Sequence, residues 1–409
     1  MTADQVTLND GAILRNGCPS DLDAICELLT DRGESADATD LELLVTDPEA
    51  GWGGVGVVEA DGQVVATATL VNESIRVGVS QFPVGQIELV ACAESHEHRG
   101  YVRSLMKWCH ALSYTEDHIA QVMIGIPYFY RRFGYNYAIP MHPYAPLLHT
   151  DARPARRDAF DQRDIVVRPS TEADISDMAA LQERVQACFD VAMPHQSPCW
   201  RWLVQRDGST NFVAERHGQI VATARWTPPQ DDVILVSEVA SLDEAATSAL
   251  LADLVGETEI DVQVHRRPHV PGLEELLGVA GRADWYYVRI EDHAAVINAL
   301  RPELERRLAA SDFAQADRLV ELSFWESQLA FPIANAHVGP IEVGGPRQVI
   351  VSEGGSGLPP DAVAQLVFGC GAAGLESKFP DCYLGEQREL MEALFPPQAA
   401  DLLTWYLPS

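Results

Sequence analysis

The sequence predicts an α+β protein of three units. Three observations lead there: a strand–helix–hairpin pattern that occurs twice, a turn pair inside each copy, and a last third built on a different pattern. In the first copy, Ala12 to Arg15 reads as a strand. Ser20-Asp21-Leu22-Asp23 then opens a helix whose apolar face is Leu22, Ile25, Cys26 and Leu29, with Ser20 or Asp21 as its cap. Val55 to Glu59, Asp61-Gly62 and Val64 to Leu70 form a hairpin signal, a turn pair between β-branched runs. Gln86 to Cys92 is a further strand. From about Gly100 a helix carries Val102, Leu105, Met106, Cys109 and Leu112 on one face, and Val122 to Ile126 is the next strand.

The second copy begins at Val166-Val167-Arg168, continues through Glu172-Ala173-Asp174-Ile175, and repeats the hairpin as Phe212 to Glu215, His217-Gly218 and Ile220 to Trp226. The stretch Thr150 to Asp164, rich in Asp, Arg and Ala, reads as a linker. The expected units are therefore 1–150, a linker over 151–164, 165–292 and 293–409. In the last unit, His293 to Ala310 reads as one helix, with Val296, Leu300, Leu304 and Leu308 at steps of four. Strand-like segments run from Arg318 to Val351, and Pro359 to Phe368 and Arg388 to Leu394 read as short helices. No catalytic cluster stands out there.

The formal net charge is −31. Such a surface repels phosphate backbones, which argues against nucleic acid and anionic membrane as partners and favours cationic substrates such as amines. Solubility alone also accounts for it. No apolar run approaches the ~18 residues of a membrane helix, and Met1 to Arg15 lacks the features of a signal peptide, so a cytoplasmic location is expected. The eight cysteines show no CxxC pair, so free thiols and no zinc site are expected. His96-Glu97-His98 is not HExxH and lies in a loop, so no metal is expected there either.

Chemistry concentrates between Ile87 and Tyr135. A strand, Ile87 to Cys92, ends in a loop carrying His98-Arg99-Gly100-Tyr101-Val102-Arg103, and a helix follows. The free amides and positive dipole at a helix start form an anion site, and glycine lets the backbone approach phosphate. A solvated turn with chance arginines is the other reading of this loop. Some 30 residues later comes Tyr130-Arg131-Arg132-Phe133-Gly134-Tyr135.

Together these two segments resemble the GNAT superfamily of N-acetyltransferases. His98 to Arg103 resembles its pyrophosphate loop, and Tyr130 to Tyr135 its late helix–turn motif. The whole chain is similar to the Eis-type family. The last unit's likeness rests on Leu300 to Ala309, Leu358-Pro359-Pro360-Asp361, Gln365 to Gly369 and Glu392 to Pro396. The resemblance implies two tandem GNAT folds, each a mixed, mostly antiparallel sheet flanked by helices, the second degenerate. A sterol carrier protein-like α/β domain follows. It implies acetyl-CoA as co-substrate and direct attack by an amine, such as a lysine side chain or an aminoglycoside-like amine. It also implies a homo-oligomer, since the family forms hexamers.

Residue by residue, the resemblance assigns the Val90-Ala91-Cys92 backbone to the pantetheine arm and thioester. It assigns His98, Arg99, Gly100, Tyr101, Val102 and Arg103 to the pyrophosphate, and Tyr130 to the general acid. The candidates for the base are Glu88, the terminal carboxylate of Ser409, and water. Aromatic packing is the other reading of Tyr130, and a sheet-surface carboxylate that of Glu88. Two positions depart from the superfamily's loop: Glu97, whose carboxylate would repel phosphate, and Val102, where glycine or alanine is usual. A decayed site in a non-catalytic acyl-binding or scaffold protein is the alternative they keep open. In the second copy, Ser241-Leu242-Asp243-Glu244 has neither glycine nor base, which predicts one cofactor site per chain. Trp200-Arg201-Trp202 and Trp285-Tyr286-Tyr287 read as packing clusters.

Overall fold

The structure, a computed structural model, describes residues 5–33, 36–148, 164–206, 208–230, 232–255, 260–346 and 356–403. The first unit contains β1 (Gln5–Thr7), β2 (Ile13–Asn16), α1 (Leu22–Arg32), α2 (Asp37–Thr46), β3 (Val55–Ala60), β4 (Gln63–Val77), β5 (Ser80–Cys92), α3 (Tyr101–Thr115), β6 (Ala120–Met123) and β7 (Asn136–Pro140). The β3–β4 turn forms because Asp61 (φ 51°) and Gly62 (φ 78°) both take the left-handed conformation that a two-residue hairpin turn needs. One sheet face packs Ile25, Leu29 and Leu41 of α1 and α2 on Val55 and Val57. The other packs Leu105, Met106 and Cys109 of α3 on Val58, Ala68 and Ile87. Asp21 does not cap α1 with its side chain. It is drawn backwards instead, accepting from the Cys18 N–H (2.9 Å) and from Arg15.

The chain then leaves the first sheet. β8 (Tyr144–Pro146) lies at the edge of a second sheet, followed by β9 (Ile165–Pro169), α4 (Ile175–Gln186), β10 (Val191–Met193), α5 (Ser197–Gln205), β11 (Thr210–Arg216), β12 (Gln219–Gln230), β13 (Val233–Ser241), α6 (Glu244–Val255) and β14 (Asp261–His265). The second sheet runs β8-β14-β13-β12-β11-β9. Its hairpin repeats the first, with His217 at φ 53° and Gly218 at φ 79°. An ion cluster repeats too. Arg15 bridges Asp21 and Glu59 in the first unit, and Arg168 bridges Asp174 and Glu215 in the second. The linker lies outside the described residues except for Asp164.

Sheet membership does not follow chain order. β15 (Trp285–Arg289), at the end of the second unit, inserts between β6 and β7 of the first sheet and is antiparallel to both. In return, β8 from the first unit pairs with β14 of the second. Each sheet thus contains a strand from the other half of the chain.

The last unit holds α7 (His293–Ala299), α8 (Arg301–Ala309), β16 (Asp317–Ser323), β17 (Gln328–Ala334), β18 (His337–Val338), β19 (Glu342–Gly344), α9 (Val363–Phe368), α10 (Gly371–Lys378), α11 (Arg388–Leu394) and β20 (Ala400–Leu402). The single helix expected over His293 to Ala310 is two helices, broken at Leu300 (φ −78°, ψ −8°). Pro302 has no N–H to give to the carbonyl of Asn298, so the helix restarts there. Of the expected strand run to Val351, the part beyond residue 346 lies outside the described residues. The sheet β16–β19 is antiparallel throughout. Its core is continuous with the far end of the first sheet, where Ile75, Val77, Phe82 and Val84 meet Leu304, Leu308, Phe331 and Phe368.

Two further links tie the units together. β20 runs parallel to β10, which in turn pairs with the end of β4 at Arg76 and Val77. Asp401 on β20 receives Arg267 at 2.8 and 2.6 Å, with Arg267 only 2% exposed.

Candidate active site

The site begins where two strands part. β5 and β6 are parallel neighbours only over Val84–Ala120, Gly85–Gln121 and Gln86–Val122. Beyond Gln86 they diverge, and β5 keeps β4 alone as its partner. A bulge falls at this point: the β4 register slips between Thr67 and Thr69, and Leu89 sits at φ 53°. A non-glycine residue in that conformation is strained, and such strain gathers at functional sites. The divergence opens a cleft of about 480 Å³ lined by Val90, Ala91 and Cys92 on one side.

The start of α3 lines the same cleft. Gly100 precedes it at φ 87°, a conformation that favours glycine, and a Cβ there would meet nothing within 4 Å. Among the described residues α3 has no side-chain cap, and its first turn carries no acid. The amides of Tyr101, Val102 and Arg103 are therefore left for a ligand, with the helix dipole behind them. Tyr101 contributes backbone rather than its side chain, since its hydroxyl donates to Asp10 (2.7 Å). In the second unit the equivalent helix start is self-satisfied. Asp243 accepts the Ala246 N–H at 2.9 Å and pairs with Arg216, and Glu244 fills the first turn.

Glu97 does not enter the cradle as an uncompensated charge. Its carboxylate is ion-paired with Arg32, at the end of α1. Arg32 also lines the cleft. Nothing local in the sequence marks Arg32, which lies 65 residues from Glu97. Val102 lines the cleft rather than closing it. His96 also lines the cleft, its ring stacked on Tyr101 and its Nδ1 2.9 Å from Ser95.

Opposite the helix start stands Tyr130. Its ring lies so close to Gly125 that a Cβ on that glycine would come within 2.4 Å. Phe129 braces it edge-on at 5.0 Å between centroids. The hydroxyl has no hydrogen-bond partner among the described residues, while the side chain lines the cleft. Burial, then the nearby Glu88, pushes its pKa well above the usual phenol range, so the proton stays on at neutral pH.

Glu88 is buried one bulge upstream and does not line the cleft. Burial raises its pKa to about 8; a hydrogen bond from Gln86 opposes this, and Asp37 and Asp40 add to it. Gln86 is itself held by the Tyr286 hydroxyl, which donates to it at 2.8 Å. Tyr286 belongs to β15, as does Tyr287, whose hydroxyl oxygen accepts the Tyr128 N–H at 2.9 Å. The inserted strand thus steadies both Glu88 and the Tyr130 segment, so Trp285-Tyr286-Tyr287 does more than pack.

The cleft therefore brings together Val90, Ala91, Cys92, His98, Gly100, Tyr101, Val102, Arg103 and Tyr130. Arg99 is not in its lining, and its guanidinium reaches the Ser95 carbonyl at 3.4 Å. Ser409 lies outside the described residues.

Residues 45–138 match the family described as acetyltransferase (GNAT) domain. No curated protein matches the chain. Solved structures similar to it include a GCN5-related N-acetyltransferase from Kribbella flavida, 17% identical with a TM-score of 0.65 over 97% of this chain and 100% of that one. Another, from Anabaena variabilis, is 12% identical with a TM-score of 0.68 over 96% and 98%. Eis1 from Mycobacterium abscessus is 16% identical with a TM-score of 0.58 over 94% and 97%. At these identities the likeness is one of fold, and it spans nearly the full length of both chains.

Proposed function

We propose, from the premise that residues 45–138 carry a GNAT acetyltransferase domain, that the protein transfers acetyl from acetyl-CoA to an amine by direct attack. One observation supports this above the rest: the uncapped start of α3, the open side of β5 and the unbonded hydroxyl of Tyr130 share one cleft. The residues fit the co-substrate. Val90, Ala91 and Cys92 would hold the pantetheine arm and thioester. The amides of Tyr101 to Arg103, with His98, Gly100 and Arg103, would hold the diphosphate, and Arg99 would add charge from the loop. Acetyl-CoA supplies an acyl group activated as a thioester.

In this reading the nitrogen–carbon bond forms as the carbon–sulfur bond breaks, and Tyr130 gives its proton to sulfur. Glu88 receives the acceptor's proton through water, because it stands behind the cleft wall. The terminal carboxylate of Ser409 is the competing base. The acceptor is a small-molecule or peptide amine, a lysine side chain or an aminoglycoside-like amine. A homo-oligomer in the cytoplasm, with a sterol carrier protein-like last unit, completes the reading.

The decisive experiment follows thermal stabilisation by acetyl-CoA and release of free CoA over an amine panel. Absence of stabilisation at millimolar acetyl-CoA sinks the proposal. Glu88 acts as a base only when ionised, so kcat/KM is expected to rise by about tenfold per pH unit and to level off near 8. Glu88→Gln is expected to remove that limb. A Glu88→Gln profile identical to that of the unaltered protein would assign the base elsewhere.

A further inference from the structure

A second cavity, of about 270 Å³, lies where the first sheet has a gap in its edge. β3 begins at Val55, opposite Thr69 of β4, and β10 pairs with β4 only from Arg76. Between those points β4 has β5 on one side and, among the described residues, no strand on the other. The loop from Glu49 to Gly54 and helix α5 close the gap, enclosing Asn72, Glu73, Cys199 and Trp202. The lining holds three carboxylates, Glu49, Glu73 and Glu116, and no Lys, Arg or His.

Glu73 is the unusual member. It is 4% exposed, and neither carboxylate oxygen has a hydrogen-bond partner among the described residues. Nearby cations are committed elsewhere: Arg206 to Asp40 at 2.6 Å, Arg225 to Glu238 at 2.8 Å. His195 is occupied on both ring nitrogens, by Glu238 at 3.0 Å and Cys199 at 3.2 Å. A buried carboxylate with no partner is costly unless something supplies the missing charge. Among the described residues nothing does, so Glu73 keeps its proton up to about pH 8, and a cationic ligand is what would stabilise its ionised form.

The position suits the acceptor side of the transferase reading, on which this inference rests. Glu73 lies on the same face of the sheet as Glu88, close enough for Glu88 to raise its pKa. Glu88 in turn influences Tyr130 in the cleft. An ammonium held at Glu73 is protonated and cannot be the nucleophile. Thr69 is the cross-strand partner of Glu88, and Glu73 lies four residues further along, ~13 Å of strand. A molecule engaging both ends is long and carries two amines.

We propose that this cavity is the acceptor subsite for a long, dicationic amine, and that Glu73 is its specificity-determining residue, pairing with one ammonium while the other amine is acetylated. The transfer is unchanged: the nitrogen–carbon bond forms, the carbon–sulfur bond breaks, sulfur takes the Tyr130 proton and the reacting amine's proton leaves toward Glu88.

The test measures binding of octamethylenediamine and of aminooctanol, its length-matched monocation, to the full chain by calorimetry without acetyl-CoA, at about pH 9, where Glu73 is ionised and alkyl ammonium groups keep their protons. The diamine is expected to bind at least tenfold more tightly than the amino alcohol, and Glu73→Gln to abolish that difference, the loss of a charge-assisted bond. In turnover, Glu73→Gln is expected to raise KM for the diamine while leaving KM for acetyl-CoA unchanged. The titratable groups facing Glu73 are Glu88 of β5, Tyr286 of β15, Cys199 of α5, and Glu49 and Glu116 in the lining, Glu49 being paired with Arg201 at 3.3 Å. All are acidic, and burial and Glu88 hold the Glu73 carboxyl near 8. Its contribution to stability is thus full below the ordinary carboxylate range and lost as pH rises through about 8. Glu73→Gln escapes that loss and is expected to melt higher than the unaltered protein at pH 8, which also confirms folding. Equal binding of the two amines, or a diamine affinity untouched by Glu73→Gln, overturns the subsite. Diamine binding that depends on Glu73 without any CoA release keeps the subsite and overturns the transferase reading instead.

Discussion

Tyr130→Phe is expected to lower kcat by about 10²–10⁴, the usual contribution of a positioned general acid, with acetyl-CoA affinity unchanged. The substitution is unusually clean. Phenylalanine keeps the ring against Phe129 and Gly125, and the hydroxyl it removes bonds to nothing among the described residues. No folding contact is lost, so melting temperature should stay within a degree or so of the original. Steady-state release of free CoA, with acetyl-CoA binding measured alongside, is the check. Unchanged turnover would leave Tyr130 as a packing residue. Gly125→Ala offers the converse: it keeps the hydroxyl but drives a methyl group into the ring, so kcat should fall through misplacement of the acid.

Arg267→Ala is expected to cost about 3–5 kcal/mol, the range for stripping one partner from a buried ion pair. Arg267 bonds Asp401 through two nitrogens, the Val239 carbonyl at 3.0 Å and the Gln182 side chain. Burial alone would raise the Asp401 pKa, and Arg267 outweighs it to leave the carboxyl below its ordinary value. Without Arg267 that carboxylate is stranded on β20, and the last unit loses its anchor on the second. Denaturant unfolding followed by tryptophan fluorescence reads the shift. The double change Arg267→Met with Asp401→Leu should recover much of it, since no orphan charge then remains. A single variant as stable as the original would show the pair to be dispensable.

What the sequence made legible was local. Asp61-Gly62 and His217-Gly218 announce their hairpins because two successive left-handed residues suit few other pairs. The uncapped helix start behind Gly100 was readable because glycine, arginine and a helix start are neighbours in the chain. The helix break at Leu300 was also written there, in Pro302, but the run of leucines at steps of four masks it. Long-range pairings left no such mark. Arg32 meets Glu97 only after α1 has packed beside the loop. Glu73 reads as one more residue of an alternating strand, and its isolation appears only once β3 and β10 have left a gap beside it. The aromatic run at Trp285 looked like packing because its insertion beside β6 depends on a fold built more than 150 residues away.

That insertion has a consequence for the second copy, whose own helix start is sealed by Asp243. A redundant duplicate is ordinarily disposable, but this one owns the strand that separates β6 from β7. Cutting the gene between the copies would yield two unfinished sheets, each lacking a rib, rather than two self-sufficient domains. The second copy is masonry for the first, and a truncated first half should be recovered as aggregate.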